Sequence, residues 1–103
     1  MAALTETQFQ KIITDMADDR GILWHHCDAA YRCSGHNGFP DLILVKDIVL
    51  FVELKSWYGR LRPEQSTYRE RLDYAGANYA LWRPRDLFNG VIEDAMNQLD
   101  PKD

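Results

Sequence analysis

The chain has 103 residues, 46% of them apolar and 27% charged, which suits one soluble globular domain with a single core. No stretch approaches the roughly 20 apolar residues of a membrane helix, and the N-terminus lacks a basic and apolar signal pattern, so no membrane association is expected. A net charge of −4 argues against indiscriminate binding to nucleic acid, and two cysteines, Cys27 and Cys33, are too few for a disulfide framework, which points to a reducing cytoplasm.

Thr5 is a good N-cap, and Gln8 completes a capping box that opens a helix over 6–18. Phe9, Ile12, Ile13 and Met16 form its apolar stripe. Glu6 leans toward the buried side, as does Gln10; as a first-turn acid Glu6 is also favoured by the helix dipole. Gly21 ends the helix, and 22–27 reads as the first strand. A loop over 28–37 then carries Tyr31, Arg32, Ser34, Gly35 and His36, groups suited to phosphate or base contacts. Zinc is disfavoured for His25, His26, Cys27, Cys33 and His36. No paired Cys-x-x-Cys spacing occurs, and adjacent histidines on a strand face opposite ways.

Two apolar, β-branched runs follow, Leu42 to Val45 and Ile48 to Val52, separated by Lys46-Asp47; they read as a hairpin with both faces buried. Asp41 opens the first strand, and Glu53 and Lys55 close the second, projecting to the same side. If the turn centres on Asp47, Asp41 lies directly across from Glu53, with Cβ atoms roughly 5 Å apart. That spacing suits two carboxylates sharing one divalent cation. A two-residue turn would put the acids on opposite faces, so the site requires an odd-length turn or a bulge.

Beyond the hairpin, 56–62 is a loop in which Gly59 permits a tight turn. Pro63 starts a helix that runs to about Ala75, with Gly76 as its cap. Gln65, Tyr68, Leu72 and Ala75 share one stripe, while Arg69 and Arg71 point outward. Residues 78–82 form a last strand, and Arg83-Pro84 leads into a final helix with Leu87, Val91, Ala95 and Leu99 as its apolar face. Gly90 weakens or breaks that helix, and residues 100–103 are expected to fray. The charge is uneven. Between Lys55 and Arg85 seven basic residues stand against three acids, a local balance of +4 that leaves −8 elsewhere. Local positive surface governs phosphate attraction, although arginines also serve simply to solvate a helix face. Trp57 and Tyr58 are open to three roles: a dimer contact, base stacking, or packing under the arginine loop.

Pro40-Asp41 with Glu53-Leu54-Lys55 resembles the PD-(D/E)xK nuclease superfamily. Lys55-Ser56, Gly59-Arg60-Leu61, Pro63-Glu64-Gln65, Trp82-Arg83-Pro84, and Thr5-Glu6 with Phe9-Gln10 extend the resemblance over nearly the whole chain. Together they are similar to the VRR-NUC branch in its small stand-alone, phage-type form. The implied fold is α/β with a restriction-endonuclease-like core: a mixed four-stranded sheet flanked by helices, in the order αβββαβ plus a C-terminal helix. That order also follows from the elements above, since the helical crossover between the third and fourth strands permits a parallel pair.

The implied activity is Mg²⁺- or Mn²⁺-dependent hydrolysis of DNA phosphodiesters by Asp41, Glu53, Lys55 and Gln65. Asp41, Glu53 and the Leu54 backbone carbonyl would hold the metal, with Glu6 as a candidate accessory carboxylate. Gln65, matching the family's helix glutamine, would orient Lys55, a phosphate or the attacking water, where its alternative is to cap backbone groups. Arg32, His36, Arg60, Arg62 and Arg69 are the candidate nucleic-acid contacts. By resemblance the substrate is branched DNA, such as a four-way (Holliday) junction, cut by a homodimer in the cytoplasm, the host's if phage-encoded, with no small-molecule cofactor. A less selective nickase or flap nuclease, and a nuclease-like binding subunit needing a partner, are the alternatives.

Overall fold

The computed structural model describes residues 4–27 and 33–100. Helix α1 spans Glu6–Asp19, and its start is the expected capping box: Thr5 Oγ1 accepts from Gln8 N, and Gln8 Oε1 accepts from Thr5 N. Phe9, Ile13 and Ala17 are its fully buried positions, with Ile12 and Met16 half-buried beside them. The helix stops at Gly21, whose positive φ of 69° turns the chain while Ile22 N reaches back to the Ala17 carbonyl.

Strand β1 (Leu23–His26) is one residue shorter at each end than its sequence pattern implied, and it sits at a sheet edge. β2 (Leu42–Val45) and β3 (Val49–Leu54) form the antiparallel hairpin, with Leu42 opposite Val52 and Val45 opposite Val49. The turn is therefore Lys46-Asp47-Ile48, odd in length and centred on Asp47, as the acid pair requires. Helix α2 (Pro63–Tyr74) carries the crossover to β4 (Asn78–Trp82), which pairs parallel to β3 and completes a sheet of order β1-β2-β3-β4.

Register sorts every strand residue onto one of two faces. Leu42, Leu44, Leu50, Val52, Leu54 and Trp82 lie on one face and enter a common core with Phe9, Ile13 and Ala17 of α1 and with Ile92, Met96 and Leu99 near the C-terminus. The opposite face carries His25, Ile43, Phe51 and Tyr79. The expectation that both hairpin faces are buried is thus corrected. Ile43, Val45 and Phe51 are only half-buried and Val49 is exposed, because this second face is a site wall rather than a core.

The expected final helix is two: α3 (Arg85–Phe88) and α4 (Val91–Leu99), divided at Gly90 with φ of 84°. The break resets the helical phase. Ile92, Met96 and Leu99 become the buried face of α4, and Val91, assigned to the apolar face by sequence, is exposed. Asp100 is likewise not frayed but buried, its carboxylate taking the Lys46 ammonium at 2.6 Å, while Lys46 also donates to the Arg20 carbonyl at 2.9 Å. Asp47 N donates to Leu99 O, so the C-terminal helix holds the hairpin turn in place. Replacing Lys46 by Ala takes the cation from a buried carboxylate and should cost about 2 kcal/mol, read as a melting temperature lower by roughly 10 °C.

Cys27 and Cys33 are paired with each other, Cα atoms 6.6 Å apart, within the range a disulfide spans. No helix among the described residues is long and apolar enough to cross a membrane.

Candidate active site

The second face of the sheet carries the site at the start of β2 and the end of β3. Asp41 precedes β2 by one residue, and extending the observed register places it opposite Glu53, on the face that carries Ile43 and Phe51. Both acids therefore share one side of the sheet. Asp41 is half-buried and fixed at two points. Its Oδ2 accepts from Leu54 N at 2.8 Å, and its backbone carbonyl accepts from His26 Nδ1 at 2.9 Å. That second contact requires the Nδ1–H tautomer of His26.

Glu53 is only 2% exposed. Its Oε1 accepts from Gln65 Nε2 at 2.7 Å, and its Oε2 is buried with no hydrogen-bond partner. Gln65 is held in turn, since its Oε1 accepts from Arg62 N at 2.8 Å at the start of α2. The amide thus caps the helix, one of the alternatives the sequence left open, and it also grips the Glu53 carboxylate, a partner the sequence did not suggest. Burial, and then the charge of Asp41, raise the Glu53 pKa to about 8, against a smaller opposing pull from Lys55. Burial, followed by the charge of Glu53, also pushes Tyr79 up to about 12.

A buried carboxylate with one oxygen unsatisfied and a second carboxylate facing it is an unfavourable arrangement unless something cationic joins it. Two hard oxygen donors of this kind fit Mg²⁺ or Mn²⁺. Among the described residues no third His, Cys, Asp or Glu joins them to make a ligand group of three. The expectation that Glu6 leans toward the buried side is corrected: it stands exposed in the first turn of α1, the position the helix dipole favours for an acid.

Asp41 borders a cleft of about 880 Å³, lined also by Gln65, His25, His36, Arg62 and Tyr68, among others. His25 lies opposite Ile43 and His26 opposite Leu42, so the two adjacent histidines fall on opposite faces of the sheet, and both reach the edge of the cleft. Lys55 is half-buried just beyond β3, its N–H bonded to the Trp82 carbonyl. Of the candidate nucleic-acid contacts, His36 and Arg60 are exposed. Arg62 pairs with Glu64 at 3.2 Å, and Arg69 lies over the Tyr79 ring at 5.6 Å. Arg32 lies outside the described residues.

Three positions around the acids escape a reading of the sequence. His26 and Tyr79 look like ordinary strand residues, and nothing in their spacing ties them to the acids. Gly38 carries a weak signal, a glycine close before Pro40-Asp41. It has φ of 95°, and a Cβ there would overlap the Glu64 carbonyl and lie 2.8 Å from Gln65 N. The segment leading to Asp41 therefore runs directly against the N-terminus of α2. Losing the Gln65 grip should matter: Gln65→Leu is expected to lower cleavage by about 10- to 100-fold, as for other groups that orient a ligand. Steady-state rates on a DNA substrate, with circular dichroism to check folding, measure this.

A mixed four-stranded sheet flanked by helices, with two acids facing each other on neighbouring strands, matches the restriction-endonuclease-like class of α/β domains. Among solved structures the chain is similar to a VRR_NUC domain protein at 25% identity, with a TM-score of 0.70 over 95% of this chain and 92% of that one. A second, a VRR_NUC domain, superposes with a TM-score of 0.67 at 23% identity, covering 84% of this chain and 92% of the other. No sequence-family model and no curated protein sequence matches the chain. The fold is that of a VRR-NUC domain, and these neighbours support a VRR-NUC family nuclease.

Proposed function

We propose that the protein is a divalent-cation-dependent, structure-selective DNA endonuclease, a four-way-junction resolvase acting as a homodimer. The observation that carries the reading is Glu53: buried, gripped by Gln65 on one oxygen, and left with the other oxygen unsatisfied beside Asp41. Asp41 and Glu53 would hold Mg²⁺ or Mn²⁺, with the Leu54 carbonyl as a further ligand. Bound there, the cation supplies a more acidic water and offsets charge at the phosphate.

The chain's own groups do the rest. Leu54 N–H and His26 keep Asp41 in register with Glu53, and Gln65 keeps the Glu53 carboxylate from turning. Lys55 places an ammonium beside Glu53, where it stabilises the extra negative charge of the phosphate in the transition state. Arg60 and Arg69, with His36 in the cleft, are the contacts proposed for the sugar–phosphate strand. A homodimer suits a junction because two sites related by a two-fold axis can make paired cuts.

The test is cleavage of four-way junction, flap and plain duplex DNA with Mg²⁺, with Mn²⁺ and with chelator. Junction cleavage that needs the cation and disappears in Lys55→Ala, with the variant still folded, is the expected result. Cleavage in chelator, or full activity of Lys55→Ala, would sink it.

A further inference from the structure

The loop joining β3 to α2 is pinned at several points. Arg83, just after β4, donates from Nη1 to the Ser56 carbonyl at 2.9 Å and to the Gly59 carbonyl. Ser56 Oγ accepts from Gly59 N at 3.1 Å and closes the turn between them. The Trp57 ring lies parallel to that of Phe88 in α3, centroids 6.4 Å apart and planes within 10°. Arg83 is thus spent on holding this loop and is not one of the phosphate contacts. Trp57 is half-buried on α3.

What this scaffold presents is Tyr58, 91% exposed between two anchored residues and three positions after Lys55. The three roles open to Trp57 and Tyr58 in the sequence are separated here: Trp57 packs and Tyr58 does not.

We propose that Tyr58 is a nucleobase-stacking residue that receives an unpaired base of the DNA next to the cut. The inference rests on the nuclease reading and narrows its substrate to DNA with an unstacked base near the acid pair. The loop backbone on both sides of Tyr58 is already anchored, so stacking on its exposed ring is not offset by the cost of ordering the loop. Stacking also tolerates any base, since each has a π-face. The surroundings suit a nucleotide: Arg60 is exposed two residues on, and the stretch from Lys55 to Arg85 carries +4 in a chain of net charge −4. A protein partner fits less well. A stable interface buries roughly 1,200 Å² or more, whereas one ring at the tip of a turn offers a single base-sized face.

Tyr74 supplies the control. It is 94% exposed, but it ends α2 with no such pinned turn around it.

The experiment compares two DNA probes, a duplex with one bulged 2-aminopurine and the same duplex fully paired. Binding is followed by anisotropy and by 2-aminopurine fluorescence with Ca²⁺ in place of Mg²⁺. Tyr58→Ala should bind the bulged probe about 10-fold more weakly than wild type and leave the paired duplex unchanged. Tyr58→Trp should retain binding, and Tyr74→Ala should match wild type on both probes. Equal binding of the bulged probe by Tyr58→Ala and wild type overturns this inference alone, provided wild type cleaves branched DNA. A shift from dimer to monomer in Tyr58→Ala, seen by light scattering without DNA, overturns it in favour of a contact between copies. Wild type that binds neither probe and cleaves nothing removes the nuclease reading as well.

Discussion

Glu53→Gln is expected to abolish cleavage, by about 1000-fold or more, while leaving a protein that is more stable than wild type at pH 8 without a divalent cation. The two effects have one origin. In the folded chain Glu53 titrates at about 8 rather than 4.5, first because it is buried and then because Asp41 faces it. The folded protein therefore keeps a proton that the unfolded chain releases. The contribution of Glu53 to stability is greatest below about pH 4.5, falls as pH rises toward 8, and levels off above that. A tenfold difference in proton affinity between the folded and unfolded chain is worth about 1.4 kcal/mol, so the loss reaches a few kcal/mol.

A neutral amide of the same shape has no such slope, but it cannot supply an anionic oxygen. Melting temperatures of wild type and Glu53→Gln from pH 4 to 9 in chelator measure the difference, which should grow with pH. A difference independent of pH would mean that Glu53 is not held protonated. Adding Mn²⁺ should raise the wild-type melting temperature at pH 8 and leave the variant unmoved.

Gly38→Ala is the second large effect. Gly38 has φ of 95°, and the added methyl would overlap the Glu64 carbonyl in the first turn of α2, so both strain and overlap oppose the substitution. Backbone atoms on both sides leave no flexible side chain to yield. A loss of about 3 kcal/mol should lower the melting temperature by roughly 15 °C. Activity should fall further than stability alone explains, because the clash pushes directly on Gln65, which grips Glu53. Gly35→Ala is the comparison: φ is 134° there, but no atom lies within 4 Å of the new Cβ, so only the backbone strain remains. Equal losses in the two variants would show that the contact with α2 is not what Gly38 serves.

Much of this architecture is legible because its signals are local. The capping box at Thr5 and Gln8 needs only four consecutive residues, and the odd turn at Asp47 follows from demanding that Asp41 and Glu53 share a face. Gly90 is legible as a weak point in the C-terminal helix, but the apolar periodicity runs on through it and assigns Val91 to the buried face, whereas a positive φ there restarts the phase and turns Val91 outward. Asp100 reads as a fraying end because its partner, Lys46, is 54 positions away. The Cys27–Cys33 pairing depends on where a loop returns, which spacing alone does not state.

By itself the sequence determined the acid pair, its lysine, the order of elements and the register that opposes Asp41 to Glu53, since alternation along strands and the turn between them are short-range geometry. Only the tertiary structure decided the rest: that Gln65 reaches Glu53, that His26 steadies Asp41, that Arg83 holds a loop, and that Tyr58 stands clear of it. Those contacts join residues 12 to 27 positions apart or depend on what leaves a ring uncovered. Packing creates them, and no local pattern encodes the distance at which two separate elements come to rest.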